Sequence, residues 1–340
     1  MPELRYDIIR QRWVSVANIQ ALKPNDFPLA RKKLEATTSL FCPFCEGNET
    51  YTPPEIIASR EYGEPDTPGW QVRVVPNKYA AFGWQGEFAE WSQGLYNACS
   101  SQGSHEVVVE TPEHEYEFHQ YNQSRIAMLI DILQERYRSL AQDPCIHYVQ
   151  IYKNRGVIAG ASLEHSHSQI MALPIEPAEN QGLKNYYQKH QRCLICDILT
   201  QEQSGERPRI IYESEHFLIM CPYAPRFPYE SWIVPRRHVE HFGDMNLTEA
   251  EDLTALLYYY SDVIVKGLSN PAYNFVVNTA PVNSGPTPAY HWYLEILPRL
   301  IIESGVEVVS GIHMNPVSPE LAAPILREAM SEAIMQKGEA

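Results

Sequence analysis

The sequence predicts an α+β protein made of two domains of one fold, related as an internal pseudo-repeat, each a mainly antiparallel sheet with packed helices. Three observations carry this. The chain has 340 residues, more than one core usually accommodates, and its 44% hydrophobic residues suffice to fill two. Each half opens on a CxxC pair, Cys42/Cys45 and Cys193/Cys196, followed by two histidines in the same order. Turn residues dominate the connections between strand-like runs, which favours antiparallel pairing.

In the first half, Phe41-Cys42-Pro43-Phe44-Cys45-Glu46-Gly47 reads as a tight knuckle in which proline and glycine set a turn and both thiolates face one point. A β-branched run, Val107-Val108-Val109, then leads through a proline-containing turn to His114. Apolar residues at helical spacing (Ile126, Leu129, Ile130, Leu133, Tyr137) predict a helix over 123–142. A strand over 146–152 follows, and His165 opens the last strand. The second half repeats the order. Cys193 and Cys196 precede the run Trp232-Ile233-Val234-Pro235 and His238, a helix over 248–265 (Leu253, Leu256, Leu257, Tyr260, Ile264), a strand over 273–278, and His291. The paired histidines lie 51 residues apart in the first half and 53 in the second. The two halves are expected to join near 178–190, where the run 176–182 loses periodicity, giving domains 1–178 and 186–340. A closing helix over 318–337 packs back, with Ser318 placed to cap it and Pro319 in its first turn.

A formal charge of −15 opposes broad attraction to nucleic acid or to an anionic membrane surface. No apolar run approaches the roughly 20 residues of a membrane span, and the first residues do not resemble a signal peptide. A soluble, cytoplasmic protein is expected. In that setting the CxxC pairs point to metal chemistry more than to disulfides, whereas Cys99, Cys145 and Cys221 read as small core residues.

Cys42, Cys45, His114 and His165 form a Cys2His2 set with the ligand types that favour tetrahedral zinc, and Cys193, Cys196, His238 and His291 form another. Each set saturates its ion, so two structural zinc ions per chain are expected. His105 and His241 remain alternative ligands to His114 and His238.

On an extended backbone, alternate residues His165, His167 and Gln169 share one face. With His165 committed to metal, His167 is a positioned nucleophile, and the Gln169 amide can donate to a phosphoryl oxygen without adding charge. The second half supplies a control. Aligning His291 with His165 sets Tyr293 opposite His167 and Glu295 opposite Gln169, so chemistry is expected once per chain.

These residues resemble the galactose-1-phosphate uridylyltransferase branch of the histidine-triad superfamily along nearly the whole chain. The run from Arg5 to Val14 looks like that family's opening strand, and the run from Val75 to Ala81 like its nucleoside-binding segment. Asn154, Gly156, Gly160, Ala161, Ser162, His165, His167 and Gln169 fall in its active-site segment. The resemblance implies two histidine-triad-like domains. It further implies that His167 attacks the α-phosphorus of a nucleotide sugar, forming a covalent nucleotidyl-histidine whose nucleotide passes to a phosphate-bearing acceptor. Gln169 and Ser162 would hold phosphoryl oxygens, and Asn77, Lys78 and Val107 would line the base pocket. A homodimer is implied as well.

The departures are specific. Ser166 and Ser168 replace the family's proline and glycine around the second histidine, Lys78 replaces an aspartate, and Lys23 alone remains of the basic stretch at 20–24. The sugar-reading segment is replaced by 307–315. The family expectation is uridylyl transfer from UDP-glucose to a hexose 1-phosphate such as galactose 1-phosphate. The alternative is adenylyl transfer of the ADP-glucose phosphorylase kind, with phosphate as acceptor, which the His-Ser-His-Ser-Gln run resembles more closely. A hydrolase that uses the same histidine is a third reading.

Overall fold

The computed structural model describes residues 3–17, 22–27, 41–83 and 88–338. The first half runs β1 (Glu3–Asp7), β2 (Arg12–Val16), β3 (Ile57–Arg60), β4 (Trp70–Pro76), β5 (Glu90–Gln93), β6 (Tyr96–Cys99), β7 (Ser104–Val109), α1 (Gln123–Ala141), β8 (Tyr148–Arg155) and β9 (His167–Leu173). The second runs α2 (Gln181–His190), α3 (Leu194–Gln203), β10 (Ile210–Glu213), β11 (Phe217–Met220), β12 (Ser231–Pro235), α4 (Leu247–Asp262), β13 (Tyr273–Asn278), β14 (Tyr293–Pro298), α5 (Gly305–Ser310), β15 (His313–Asn315) and α6 (Pro319–Gly338).

Ten strands form one sheet in the order β10-β11-β12-β14-β13-β8-β9-β7-β4-β3, with every neighbouring pair antiparallel. Read inward from either edge, the two halves contribute the same five-strand order, and the β8·β13 ladder joins them at the centre. The pseudo-repeat is thus a property of the sheet itself, as the matched motifs predict.

One face of the sheet carries α1, α4 and α6 over a single apolar core that includes Ile126, Ile130, Leu253, Leu257, Leu326 and Met330. Asn122 caps α1 by accepting from Arg125 N at 2.9 Å, and Asn246 with Glu249 closes a capping box on α4. Each such cap contributes about 1 kcal/mol. The opposite face differs between halves. In the second half, Ile9, α2 and α3 cover it, packing on Leu218, Met220, Trp232, Val234 and Tyr293. In the first half, among the described residues, it holds the small cluster of Trp70, Val75, Val107 and Val109 beside the histidine-bearing strand.

Three local expectations are corrected. The join near 178–190, where periodicity is lost over 176–182, is helical from 178 on: Gly182 N donates to the Ile9 carbonyl at 3.1 Å, and a Cβ there would lie 2.1 Å from the Ile8 oxygen. That close approach fixes α2 against the β1–β2 hairpin. Ser318 starts α6 through its carbonyl, which accepts from Leu321 N and Ala322 N, while its hydroxyl makes no cap hydrogen bond. Finally, α4 gives way after Asp262 to a π-helical turn, Val263–Gly267. Among the described residues no helix is long and apolar enough to cross a membrane.

Candidate active site and metal centres

The CxxC knuckle is built by local hydrogen bonds. Phe44 N approaches Cys42 Sγ at 3.4 Å, the Asn48 side chain donates to the Cys42 carbonyl at 2.8 Å, and Gly47 takes φ 89°. His114 follows β7 and His165 precedes β9, which brings both beside the knuckle. Cys42 Sγ lies 3.6 Å from His165 Nδ1, and Cys45 Sγ lies 3.5 Å from His114 Nδ1 and 3.7 Å from His165 Nδ1. In the second half, Cys193 precedes α3 and Cys196 lies in its first turn, with Cys196 Sγ 3.3 Å from His238 Nδ1 and 3.5 Å from His291 Nδ1. Within each set the four ligand atoms lie within 4.8 Å of one another.

These spacings fit a metal. A tetrahedral zinc with its usual bond lengths sets sulfur and nitrogen about 3.6 Å apart. The outer hydrogen bonds agree. His165 Nε2 donates to the Thr111 carbonyl at 2.7 Å and His291 Nε2 to the Pro235 carbonyl at 2.9 Å, so in both rings Nδ1 keeps its lone pair toward the thiols. Burial pushes His165 down to about 4, against the raising effect of that hydrogen bond, and so keeps the ring neutral. Neither His105 nor His241 belongs to a set: His105 lies against Gln169, and His241 Nδ1 lies 3.1 Å from the Tyr137 hydroxyl.

His167 opens β9 and is 5% exposed. Its Nδ1 donates to the His165 carbonyl at 2.8 Å, which leaves the Nε2 lone pair free. Desolvation holds this ring below the ordinary histidine value, which favours its neutral form. Gln169 Oε1 accepts from His105 Nε2 at 2.7 Å and from the Tyr152 hydroxyl at 3.0 Å, with Asn77 Nδ2 at 3.5 Å. The carbonyl end of the amide is therefore anchored inward, and its NH2 end is the one available to a ligand. Sequence reasoning missed Tyr152 and this role of His105, because partners across strands are visible only once the register is known. Val107 pairs directly with Gln169 across β7 and β9.

The turn from β8 to β9 is shaped by two glycines, Gly156 at φ 83° and Gly160 at φ 87°, around a 3-10 turn. Ala161 N bonds back to the Gly156 carbonyl at 3.1 Å. Asn154 is held by Asn274 of the second half at 2.8 Å, which also donates to the Ala159 carbonyl at 2.7 Å. Ser162 and Lys78 are exposed. Lys23 is exposed before the turn at 24–26, and no hydrogen bond or ion pair among the described residues links it to His167 or Gln169. Gln20 and Ala21 of the same stretch lie outside the described residues.

At the equivalent place in the second half, the Tyr293 ring lies 4.8 Å from that of Trp232, tilted by 36°. Glu295 there is bound by Arg10 of the N-terminal hairpin at 2.7 Å and by Arg226 at 2.8 Å. Against the desolvation of burial, those two guanidinium groups hold the Glu295 carboxyl ionised. Among the described residues this face is filled, and a tyrosine stands on it at the place of His167.

A sequence profile described as galactose-1-phosphate uridyl transferase, N-terminal domain, matches residues 60–177. The ADP-glucose phosphorylase of Arabidopsis thaliana is 33% identical, over 96% of this chain and 93% of that protein. The galactose-1-phosphate uridylyltransferase of Thermotoga maritima is 29% identical, over 98% of this chain and all of that protein. Among solved structures, an Arabidopsis thaliana ADP-glucose phosphorylase with bound ADP-glucose superposes with a TM-score of 0.78 at 33% identity, covering 96% of this chain and 98% of that one. A uridylyltransferase superposes with a TM-score of 0.74 at 25% identity, covering 98% of this chain and 100% of that one. With a fold shared from end to end and a third of its residues identical to one such relative, the chain belongs to the galactose-1-phosphate uridylyltransferase family, its ADP-glucose phosphorylase-like relatives included.

Proposed function

We propose that this protein is a nucleotidyltransferase acting on nucleotide sugars, and that His167 carries the nucleotide between donor and acceptor. The observation that supports this most directly is the hydrogen bond from His167 Nδ1 to the His165 carbonyl, which aims a neutral Nε2 lone pair out of the strand. In the first step Nε2 attacks the α-phosphorus, a nitrogen–phosphorus bond forms, and the bond to the sugar-phosphate oxygen breaks. In the second, an acceptor phosphate oxygen attacks the same phosphorus and the imidazole leaves. Splitting the transfer needs a group that is both nucleophile and leaving group, and imidazole is both. Gln169 donates to the phosphoryl oxygens through its outward NH2 group, Ser162 offers a hydroxyl from the adjoining loop, and Asn77, Lys78 and Val107 face the base. Asn154, Gly156, Gly160 and Ala161 shape the loop that borders the phosphates, and Lys23 offers a positive charge to them.

Both Cys2His2 sets hold zinc in this reading. When bound, the ions cross-link the chain and orient the neighbouring strands, and their four protein ligands leave no position for water. His165 belongs to one such set, so the first centre also fixes the carbonyl that orients His167.

Of the two donors, ADP-glucose has the stronger support: identity is 33% with the plant ADP-glucose phosphorylase against 29% with the bacterial uridylyltransferase. Adenylyl transfer from ADP-glucose to phosphate is therefore our reading. Uridylyl transfer from UDP-glucose to a hexose 1-phosphate is the second reading, supported by the profile match over 60–177. Intact-protein mass measurement after brief incubation with ADP-glucose or UDP-glucose, without acceptor, separates them. A gain of one adenylyl group supports the first and one uridylyl group the second. No gain with either donor overturns the covalent mechanism or moves hydrolysis forward.

We also read the protein as a cytoplasmic homodimer that binds neither nucleic acid nor membrane. Leu4, Tyr6, Trp13 and Met314 project from one side of the β1-β2-β15 sheet, and all are exposed. An apolar face of this kind is suited to burial against a second copy. Sedimentation of the full chain tests it, a monomer at micromolar concentration being the contrary result.

A further inference from the structure

Ser166, just before β9, and Ser168, within it, flank His167, so their side chains leave the face opposite its imidazole and enter the core beneath the helices. They are also the positions at which the chain departs from the family's active segment. There they meet a buried ion pair. Lys153 Nζ donates to Glu110 Oε2 at 2.7 Å, to Ser166 Oγ at 2.9 Å, and to the His167 carbonyl at 3.4 Å. The Ser166 hydroxyl donates to Glu110 Oε2 at 2.9 Å, the Ser168 hydroxyl to Glu110 Oε1, and the Tyr121 hydroxyl to Oε2 at 3.3 Å. The Glu110 amide, in turn, donates to the Ser166 carbonyl at 3.2 Å. An ammonium has three donors and a carboxylate about four acceptor sites, so both charged groups are saturated. Glu110 is 0% exposed and Lys153 5%.

The second half shows what this space holds when no chemistry is done. Trp292 and Leu294 stand where Ser166 and Ser168 stand. Val277 faces Leu294 across β13 and β14, as Lys153 faces Ser168 across β8 and β9. All three are ordinary core residues. An apolar trio thus packs the same place in the same sheet. Burying an ion pair there is at best neutral for stability, because desolvating two charges offsets most of their attraction. Stability does not explain the network.

We infer that the Glu110–Lys153 pair, with Ser166 and Ser168, is a positioning device that clamps the β9 backbone on both sides of His167 and so fixes the direction of its imidazole. The inference rests on the reading of His167 as nucleophile. The ring is oriented by a hydrogen bond to its own strand's backbone, so any freedom in that backbone passes directly to the attacking nitrogen. A displacement of about 1 Å at a reacting atom can cost on the order of 100-fold in rate.

The test is the single-turnover rate of adduct formation on His167, followed by mass, with ADP-glucose and UDP-glucose as donors. The variant K153M/E110Q removes both charges together and leaves none unpaired. It is expected to keep both metals, its melting temperature and the donor concentration for half-maximal rate, while forming the adduct about 10- to 100-fold more slowly. S166A/S168A keeps the ion pair and should slow the same step to a lesser extent; it stands in should the first variant not fold. An adduct rate equal to wild type in a folded variant overturns the inference. No adduct on the wild-type protein with either donor overturns instead the proposed function, and the inference with it.

Discussion

The two halves of this chain share a five-strand order, a CxxC pair, two matched histidines and the same outer hydrogen bond from the inner histidine to a carbonyl three residues before its partner. They differ in what stands two and four residues beyond that inner histidine. His167 and Gln169 lie on a face bordered by a small apolar cluster, whereas Tyr293 and Glu295 are 1% and 2% exposed beneath α2, α3 and Arg10. The Cys2His2 set is therefore what the two halves have in common, drawing strand, knuckle and loop to one point in each. In the reading proposed above, two side chains make one copy reactive and a plug keeps the other from being so.

The largest expected effect breaks the reactive copy. His167→Asn should lower transfer by roughly 10^4-fold or more and abolish the mass adduct, since the other imidazoles on that face are committed elsewhere, His165 to the Cys2His2 set and His105 to Gln169. The mirror substitution sharpens the comparison. Tyr293→His restores a histidine to the second half, yet Arg10 and Glu295 still fill the place of the phosphates, so the chain should gain no second adduct. Two adducts per chain would show that the plug does not exclude substrate.

Next come the metal centres. Cys42→Ser and Cys193→Ser should each release one metal equivalent, measured by elemental analysis, and each should destabilise the fold by about 4 kcal/mol or more. Their effects on chemistry should diverge. Loss of the first centre frees His165, whose carbonyl orients His167, and should slow adduct formation strongly. Loss of the second should leave the adduct rate of the remaining folded protein near wild type. Equal effects on rate would mean that the halves are coupled through the shared sheet.

Much of this was legible in the sequence because it is written in local patterns. CxxC spacing, alternating His-x-His-x-Gln and helical apolar spacing at Ile126–Tyr137 each depend on neighbours along the chain. What was not legible depends on residues far apart. The pairing of Arg10 with Glu295 joins positions 285 apart, and that of Lys153 with Glu110 crosses a strand register. The helix that follows the non-periodic run 176–182 was not legible for a related reason. It offers one narrow apolar side, Leu183 with Tyr186 and Tyr187, and is held by a glycine contact that no periodicity reveals. Ser318 occupied a capping position in sequence, but its hydroxyl is buried away from the helix amides.

A third measurement tests the plug as structure alone. Arg10→Met leaves Glu295 buried with one cation in place of two, and removal of a partner from a buried pair costs about 3–5 kcal/mol. Denaturant unfolding should show a loss at or below the lower end of that range, because Arg226 remains. Adduct formation per folded molecule should not change. A slower adduct would tie the N-terminal hairpin to the reactive half.

The smallest expected effect is in the acid limb of stability, and it separates the halves by a titrating group that only one of them has. Desolvation raises the Glu110 carboxyl, but the Lys153 ammonium and the hydroxyls of Ser168 and Ser166 outweigh it and hold Glu110 below the ordinary value of 4.5. Its folded value being the lower, Glu110 contributes stability that is fully present above its unfolded value and is lost as pH falls through the folded one. Glu110→Gln removes the titration, so the unfolding free energy of the variant should fall less steeply than that of wild type below about pH 4.5. The second half has apolar Val277 facing Leu294 where the first has Lys153 facing Ser168, and no variant of Val277 that preserves volume should alter that slope. Parallel acid limbs for wild type and Glu110→Gln would mean that the carboxyl beneath His167 is not ionised in the folded protein, and that the clamp is held by neutral hydrogen bonds.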